Sequence, residues 1–164
     1  MSELPRAAVV ILSDRAARGE RPDACIPVVE DVLEGVCTIV ERRVLPDDPA
    51  ALQAELIDLS DRGAVDVIFT SGGTGLSPRD RTPQATSAIL DYEIPGIPEA
   101  MRSSSLATVK TAMLSRAVAG VRGRTLIVNL PGSPKGVRET LTVIVPVVRH
   151  AVDLLTEGAH DHHV

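Results

Sequence analysis

Apolar runs of strand length alternate along the chain with stretches whose apolar residues recur at helical spacing, the pattern of consecutive βαβ units. The spacing predicts a strand over Ala7–Leu12, a helix over Ala24–Glu34, a strand over Thr38–Val44, a helix over Pro49–Arg62 and a strand over Val65–Thr70. In the second helix Asp48 stands at the cap position and Pro49 at the first helical position, with Leu52, Leu56 and Leu59 on one side. A helix over Pro83–Asp91 should follow, capped by Thr82. Prolines 95 and 98 should then open a further short helix that ends at serines 103, 104 and 105. Two apolar runs around Arg122-Gly123 read as a hairpin, so one edge of the sheet should be antiparallel. A helix from Pro134 to about Val145 and a final one over Pro146–Thr156, with Val147, Val148, Ala151, Leu154 and Leu155 on one side, close an α/β domain with a mostly parallel sheet.

Composition narrows what such a domain could bind. The 164 residues suit one domain over 1–157, followed by a flexible histidine-containing tail over 158–164. Phe69 and Tyr92 are the only aromatic residues, so the core must be aliphatic and stacking platforms for bases are almost absent. With a net charge of −5, no nucleic-acid partner is expected. Cys25 and Cys37 form no Cys-x-x-Cys pair and read as reduced cytoplasmic thiols, Cys25 as a small buried apolar group. The apolar run Ala7–Leu12 is too short for a signal segment or membrane span, so no membrane association is expected. Three histidines in the tail could bind a metal, but a frayed end is the commoner meaning of such a terminus.

Chemistry concentrates in three strand-to-helix loops. The segment Thr70–Thr86 joins Gly72, Gly73, Thr74 and Gly75 to an Arg79-Asp80 pair at a helix entrance. Glycines in such a loop can take φ > 0 and turn their N–H groups toward an anion, or simply make a tight turn. The loop is neither a P-loop nor a dinucleotide motif, and it contains no lysine. Neutralisation of a bound phosphate therefore falls to Arg79, backbone dipoles or a metal at Asp80. For Asp80 the plainer alternative is a surface ion pair with Arg79 or Arg81. In Leu45-Pro-Asp-Asp-Pro49, Asp48 caps a helix and leaves Asp47 to face the crevice. Asn129-Leu-Pro-Gly-Ser-Pro134 is the third loop, with Ser133 as a cap. In a parallel sheet all three emerge at strand carboxyl ends, where Asp47 and Asp80 could share Mg²⁺ with a nucleotide's phosphates.

These motifs resemble the molybdopterin adenylyltransferases of molybdenum-cofactor synthesis, including the amino-terminal domain of gephyrin. The likeness runs through Ser-Asp-Arg-Ala at 13–16, Leu-Pro-Asp-Asp at 45–48, Gly-Gly-Thr-Gly-x-x-x-Arg-Asp-x-Thr-Pro at 72–83 and Pro-Gly at 95–96. It continues in Ala-Met-Leu-Ser-Arg at 112–116, Ala-Gly-Val-Arg-Gly at 119–123 and Asn-Leu-Pro-Gly-Ser-Pro at 129–134. Departures fall at Ala17, where serine is common, at Ala24-Cys25, where Ser-Gly or Lys-Gly is common, and at Gln84, where glutamate is common. The resemblance implies a three-layer α/β/α homotrimer that transfers AMP from Mg-ATP to molybdopterin. It further implies Asp47 and Asp80 as catalytic and metal-binding carboxylates, with Ser13 and Asp14 lining the same crevice. Gly72, Gly73, Thr74 and Gly75 would cradle phosphate; Ser115, Asn129, Pro131, Gly132 and Ser133 would contact substrate. The molybdate-inserting enzyme of the pathway is the implied protein partner. A catalytically quiet pterin-binding or scaffold paralogue, and more distantly a nucleotide-cleaving relative such as the competence-damage-inducible proteins, remain alternatives.

Overall fold

The structure is a computed structural model and describes residues 3–157; the histidine tail and its metal reading lie outside them. Six strands form one sheet: β1 (Arg6–Leu12), β2 (Thr38–Leu45), β3 (Val67–Ser71), β4 (Tyr92–Glu93), β5 (Ala119–Arg122) and β6 (Thr125–Leu130), in the order β2-β1-β3-β6-β5-β4. The first four in that order run parallel, and β5 and β4 add an antiparallel edge. The helices are α1 (Asp14–Ala17), α2 (Cys25–Val32), α3 (Pro49–Asp61), α4 (Thr82–Ser87), α5 (Gly96–Leu106) and α6 (Pro134–Glu157), with a 3₁₀ turn over Lys110–Leu114.

The period of two along β1 builds the expected three layers. Ala7, Val9 and Ile11 face a core closed by α2, α5 and α6 through Val29, Leu33, Met101, Leu141 and Val148. Ala8, Val10 and Leu12 face the opposite core, closed by α3 and α4 through Leu52, Leu56, Leu59 and Ala85. Both layers are aliphatic apart from Phe69, which is fully buried. The chain leaves β1 toward β2 on one side and reaches β3 on the other, so the sheet reverses its order between β1 and β3. Open α/β sheets bind ligands at such a point.

Several elements differ from the sequence expectation. The two C-terminal helices are one continuous helix, α6, with Pro146 inside it. Pro146 sits on the exposed face, while Val137, Leu141, Ile144, Val148 and Val152 keep one buried stripe along the helix. Packing of that stripe outweighs the single backbone bond that proline removes. For the same reason Val147 and Leu154, expected on one side with Val148, point outward while Val148 is buried. The fourth helix ends at Ser87, because residues 92–93 join the sheet edge beside β5. Thr82 is that helix's first residue, not its cap. Arg81 holds the cap position, and the Thr82 hydroxyl packs against Gly73. Serines 103–105 lie inside α5, which continues to Leu106. The short α1, the edge strand β4 and the 3₁₀ turn carry too little periodicity to be predicted.

Candidate active site

Two cavities open at the carboxyl edge of the parallel strands, and the same two loops divide them. The first, about 400 Å³, is lined by Ser13, Asp47, Gly72, Gly73, Asp80 and Gly132, together with residues of the 21–25 segment. The second, about 470 Å³, is lined by Thr74, Gly75, Ser115, Pro131, Ser133 and Lys135, with apolar walls from Leu76, Met101 and Leu114. The glycine loop thus presents Gly72 and Gly73 to one cavity and Thr74 and Gly75 to the other. The turn after β6 does likewise, with Gly132 on one side and Pro131 and Ser133 on the other.

Close approach of main chains explains the glycines in this partition. Gly72 has φ = 104°, and a Cβ there would lie 2.4 Å from the Leu12 carbonyl oxygen; a Cβ on Gly132 would come within 3.3 Å of Gly72 Cα. Gly72 N–H donates to the Leu130 carbonyl (3.2 Å) and the Ser71 hydroxyl to the Pro131 carbonyl (2.7 Å), which ties the two loops together. Its N–H is therefore engaged. Those of Gly73, Thr74, Gly75, Gly132 and Ser133 donate to no group among the described residues and are free for an anion.

The carboxylates are held by a separate clasp. Asp14 N–H donates to Asp47 Oδ2 (3.2 Å) and Asp47 N–H to Asp14 Oδ1 (3.0 Å), joining the loops after β1 and β2. Arg79 reaches across to Asp14 Oδ2 (2.7 Å) and to the Asp47 carbonyl (3.3 Å). Arg79 is thus paired with Asp14 and not with Asp80. Burial pushes the Asp47 pKa up, and the Asp14 and Asp80 charges push the same way against the Asp14 N–H and Arg79. Asp14 is displaced downward, chiefly by the Asp47 N–H and further by Arg79. Asp80 Oδ2 accepts from the Ser77 N–H (3.0 Å). Asp48 behaves as the cap expected of it, accepting from Ala50 N–H (3.1 Å), and Ser133 Oγ accepts from Gly136 N–H (3.0 Å) at the start of α6.

Other residues are placed differently. Asn129 is fully buried beneath the loops and lines neither cavity. Its amide donates to the Thr70 (2.9 Å) and Thr86 (3.1 Å) hydroxyls, and its carbonyl accepts from Val118 N–H (3.2 Å). It fixes β6 against β3 and α4. Ser13 Oγ caps α1 through Ala16 N–H (3.2 Å), and Ser115 Oγ accepts from Ala117 N–H (3.3 Å) while lining the second cavity. Cys25 is buried at the wall of the first cavity, with its thiol pKa raised by burial. Arg116 has a role that sequence reasoning misses. It donates Nε to the Gly75 carbonyl (2.9 Å) and Nη2 to the Asp80 carbonyl, and its N–H bonds the Thr74 carbonyl (3.0 Å). It clamps the glycine loop to the Asp80 turn, and only its place beside Ser115 could have hinted at this.

A mostly parallel sheet, with free N–H groups on the loops after β3 and β6 beside its switch point and clasped carboxylates on one side of them, defines an α/β protein of the kind that binds ligands at strand carboxyl ends. Residues 8–150 match the family described as "Probable molybdopterin binding domain", and the chain belongs to that family. Molybdopterin adenylyltransferase of Escherichia coli K12 is 44% identical over 139 residues, 83% of this chain and 71% of that one. The protein of the same name from Helicobacter pylori J99 is 39% identical over 150 residues, covering 90% and 85%. A crystal structure of the molybdopterin biosynthesis enzyme MoaB from Thermus thermophilus superposes with a TM-score of 0.89 at 47% identity, covering 94% of this chain and 98% of that one.

Proposed function

We propose that the protein is a nucleotidyltransferase of molybdenum-cofactor biosynthesis, transferring AMP from Mg-ATP to the phosphate of molybdopterin with release of pyrophosphate. The observation that carries this reading is the shared partition, in which the same two loops line both cavities and offer free N–H groups on each side, so that a triphosphate in the carboxylate cavity and a pterin phosphate in the apolar one would meet across it. The names of the relatives at 39–44% identity support it.

In this reading Ser115, Pro131, Ser133 and the apolar wall hold molybdopterin, and Gly73, Thr74, Gly75 and Gly132 N–H groups orient the reacting phosphates. The pterin phosphate oxygen is already ionised near neutral pH, so it attacks the α-phosphorus without a strong base. The new O–P bond forms as the bond to the pyrophosphate oxygen breaks. The protein's part is positioning and charge stabilisation. Asp47 and Asp80 fit Mg²⁺: they are hard oxygen donors on separate loops of one cavity. Two such carboxylates suit an ion whose remaining positions phosphate oxygens and water would fill. Bound there, Mg²⁺ offsets triphosphate charge. Asp14 and Arg79 hold Asp47 in place.

We further propose a homotrimer, supported by the family and by large apolar side chains such as Leu76, Met113 and Leu154, each more than 60% exposed; light scattering showing a monomer at micromolar concentration would contradict it. Two free buried thiols suit a cytoplasmic setting, and no helix among the described residues is long and apolar enough to cross a membrane. The product would pass to the molybdate-inserting enzyme. The central test is incubation with molybdopterin and Mg-ATP, with thermal melting in ATP, Mg-ATP and Mg-ATP plus chelator. Adenylylated pterin and a chelator-sensitive Mg-ATP shift are expected. Stabilisation by pterin without any Mg-ATP shift would replace this reading with that of a pterin-binding scaffold.

A further inference from the structure

The carboxylate cavity poses an electrostatic problem that the residues so far assigned do not solve. Its lining carries Asp23, Asp47 and Asp80, and a nucleoside triphosphate adds more negative charge. One divalent cation at Asp47 and Asp80 meets only part of this. Of the nearby guanidinium groups, that of Arg79 is engaged by Asp14 and the Asp47 carbonyl, and that of Arg116 by the Gly75 and Asp80 carbonyls. Arg18 is paired with Glu20 (2.8 Å).

Arg15 and Arg81 also make no ion pair among the described residues, but neither lines this cavity; Arg21 is the one positively charged side chain among the described residues that does. It lies in the segment between α1 and α2 and is exposed. Among the described residues it makes no ion pair or hydrogen bond, and both neighbouring acids are occupied elsewhere. Glu20 binds Arg18, and the Asp23 carboxylate accepts from the N–H groups of Cys25 (3.1 Å) and Ile26 (2.7 Å) at the start of α2. A guanidinium kept clear of every local partner, at the rim of a cavity whose other lining charges are negative, is set to take an incoming anion.

We propose that Arg21 binds the β- and γ-phosphates of the nucleotide and so stabilises the departing pyrophosphate. This rests on the nucleotide reading of the cavity. The α-phosphate must lie at the partition to meet its acceptor, and the charge that needs a cation beyond the carboxylate-bound metal is that of the two phosphates that leave. An adenosine moiety has no charge for Arg21 to offset.

The test is equilibrium binding of Mg-ATP, Mg-pyrophosphate and AMP to the wild-type protein, Arg21→Ala and Arg21→Lys. An exposed position makes all three soluble, folded proteins, which thermal melting verifies. Loss of charge-assisted hydrogen bonds should weaken Mg-ATP and Mg-pyrophosphate by roughly ten- to hundredfold in Arg21→Ala and leave AMP unchanged. Lysine should recover part of the loss, because it keeps the charge without the planar fork. Equal weakening of ATP and AMP, unchanged ATP affinity in Arg21→Ala, or no recovery with lysine would overturn the assignment while leaving the nucleotide site standing. A wild-type protein that binds no Mg-ATP would overturn the nucleotide reading and this proposal with it.

Discussion

Gly75→Ala separates a steric requirement of the site from its backbone strain. Unlike Gly72 and Gly73, Gly75 does not occupy the positive-φ region, so alanine is conformationally acceptable there. Its Cβ, however, would lie 2.9 Å from Asp80 Oδ2, half an ångström short of the 3.4 Å at which ordinary contact begins. The carboxylate must give way, which lengthens its bond from Ser77 N–H (3.0 Å). Weakening that bond costs about 1 kcal/mol, and the Gly→Ala gain from the unfolded chain offsets roughly 0.4–1 kcal/mol of it. Stability should thus stay within about 1 kcal/mol, a shift in Tm of roughly 2–4 °C at most. Chemistry is less forgiving. If a misplacement of 1 Å can cost about 10²-fold, half of that implies roughly a tenfold fall in AMP transfer. Turnover and melting are measured together, with Gly96→Ala as control, since a Cβ there meets nothing within 4 Å. Undiminished turnover in Gly75→Ala would show that the position of Asp80 Oδ2 is immaterial to the reaction.

Asn129→Leu should be a stability mutation: orphaning the Val118 N–H and removing two bonds to threonine hydroxyls should cost about 3 kcal/mol, or roughly 6–12 °C in Tm. A raised substrate KM with unchanged melting would instead mark Asn129 as a ligand contact. Asp47→Asn should lower AMP transfer by about 10² or more yet raise Tm at neutral pH. Burial holds the folded pKa of Asp47 above its unfolded value, so its charge costs stability above the folded pKa, and the gain from asparagine should fade as pH drops through that pKa toward the unfolded one; a Tm difference independent of pH would refute it. Asp48→Ala should cost about 1 kcal/mol in denaturant unfolding with activity kept, as loss of the bond to Ala50 N–H requires. A stable, inactive Asp48→Ala protein would reverse the roles of the two aspartates.

Where local signals agree with tertiary demand, the sequence was sufficient. Helix α3 carries cap, proline and leucine stripe together, and it appears with Leu52, Leu56 and Leu59 all buried. At Pro146 they disagree: a local breaker sits on the outer face of a stripe that must bury five residues, so the helix runs on. That Asp47 and Asp80 would line one cavity could be read, because both follow strands and the strands are parallel. What no linear pattern carries is the identity of long-range partners. That Arg79 would reach Asp14, that Arg116 would turn back to the glycine loop, and that Asn129 would point inward all depend on how three loops stack at one sheet edge. Asn129 lies two residues from Pro131 in the chain, yet one is buried and the other lines a cavity.

A wall built from main chain rather than from side chains has an evolutionary consequence. At Gly72 and Gly132 the surface facing the carboxylate cavity is made of peptide groups, and their dipoles do not depend on which amino acid supplies them. Substitutions can therefore recast the walls beyond, such as Leu76 and Met101 on one side or Ala24 and Cys25 on the other, without disturbing the partition between the two cavities. The two recognition surfaces can drift independently, provided that the glycines keep two backbones within touching distance.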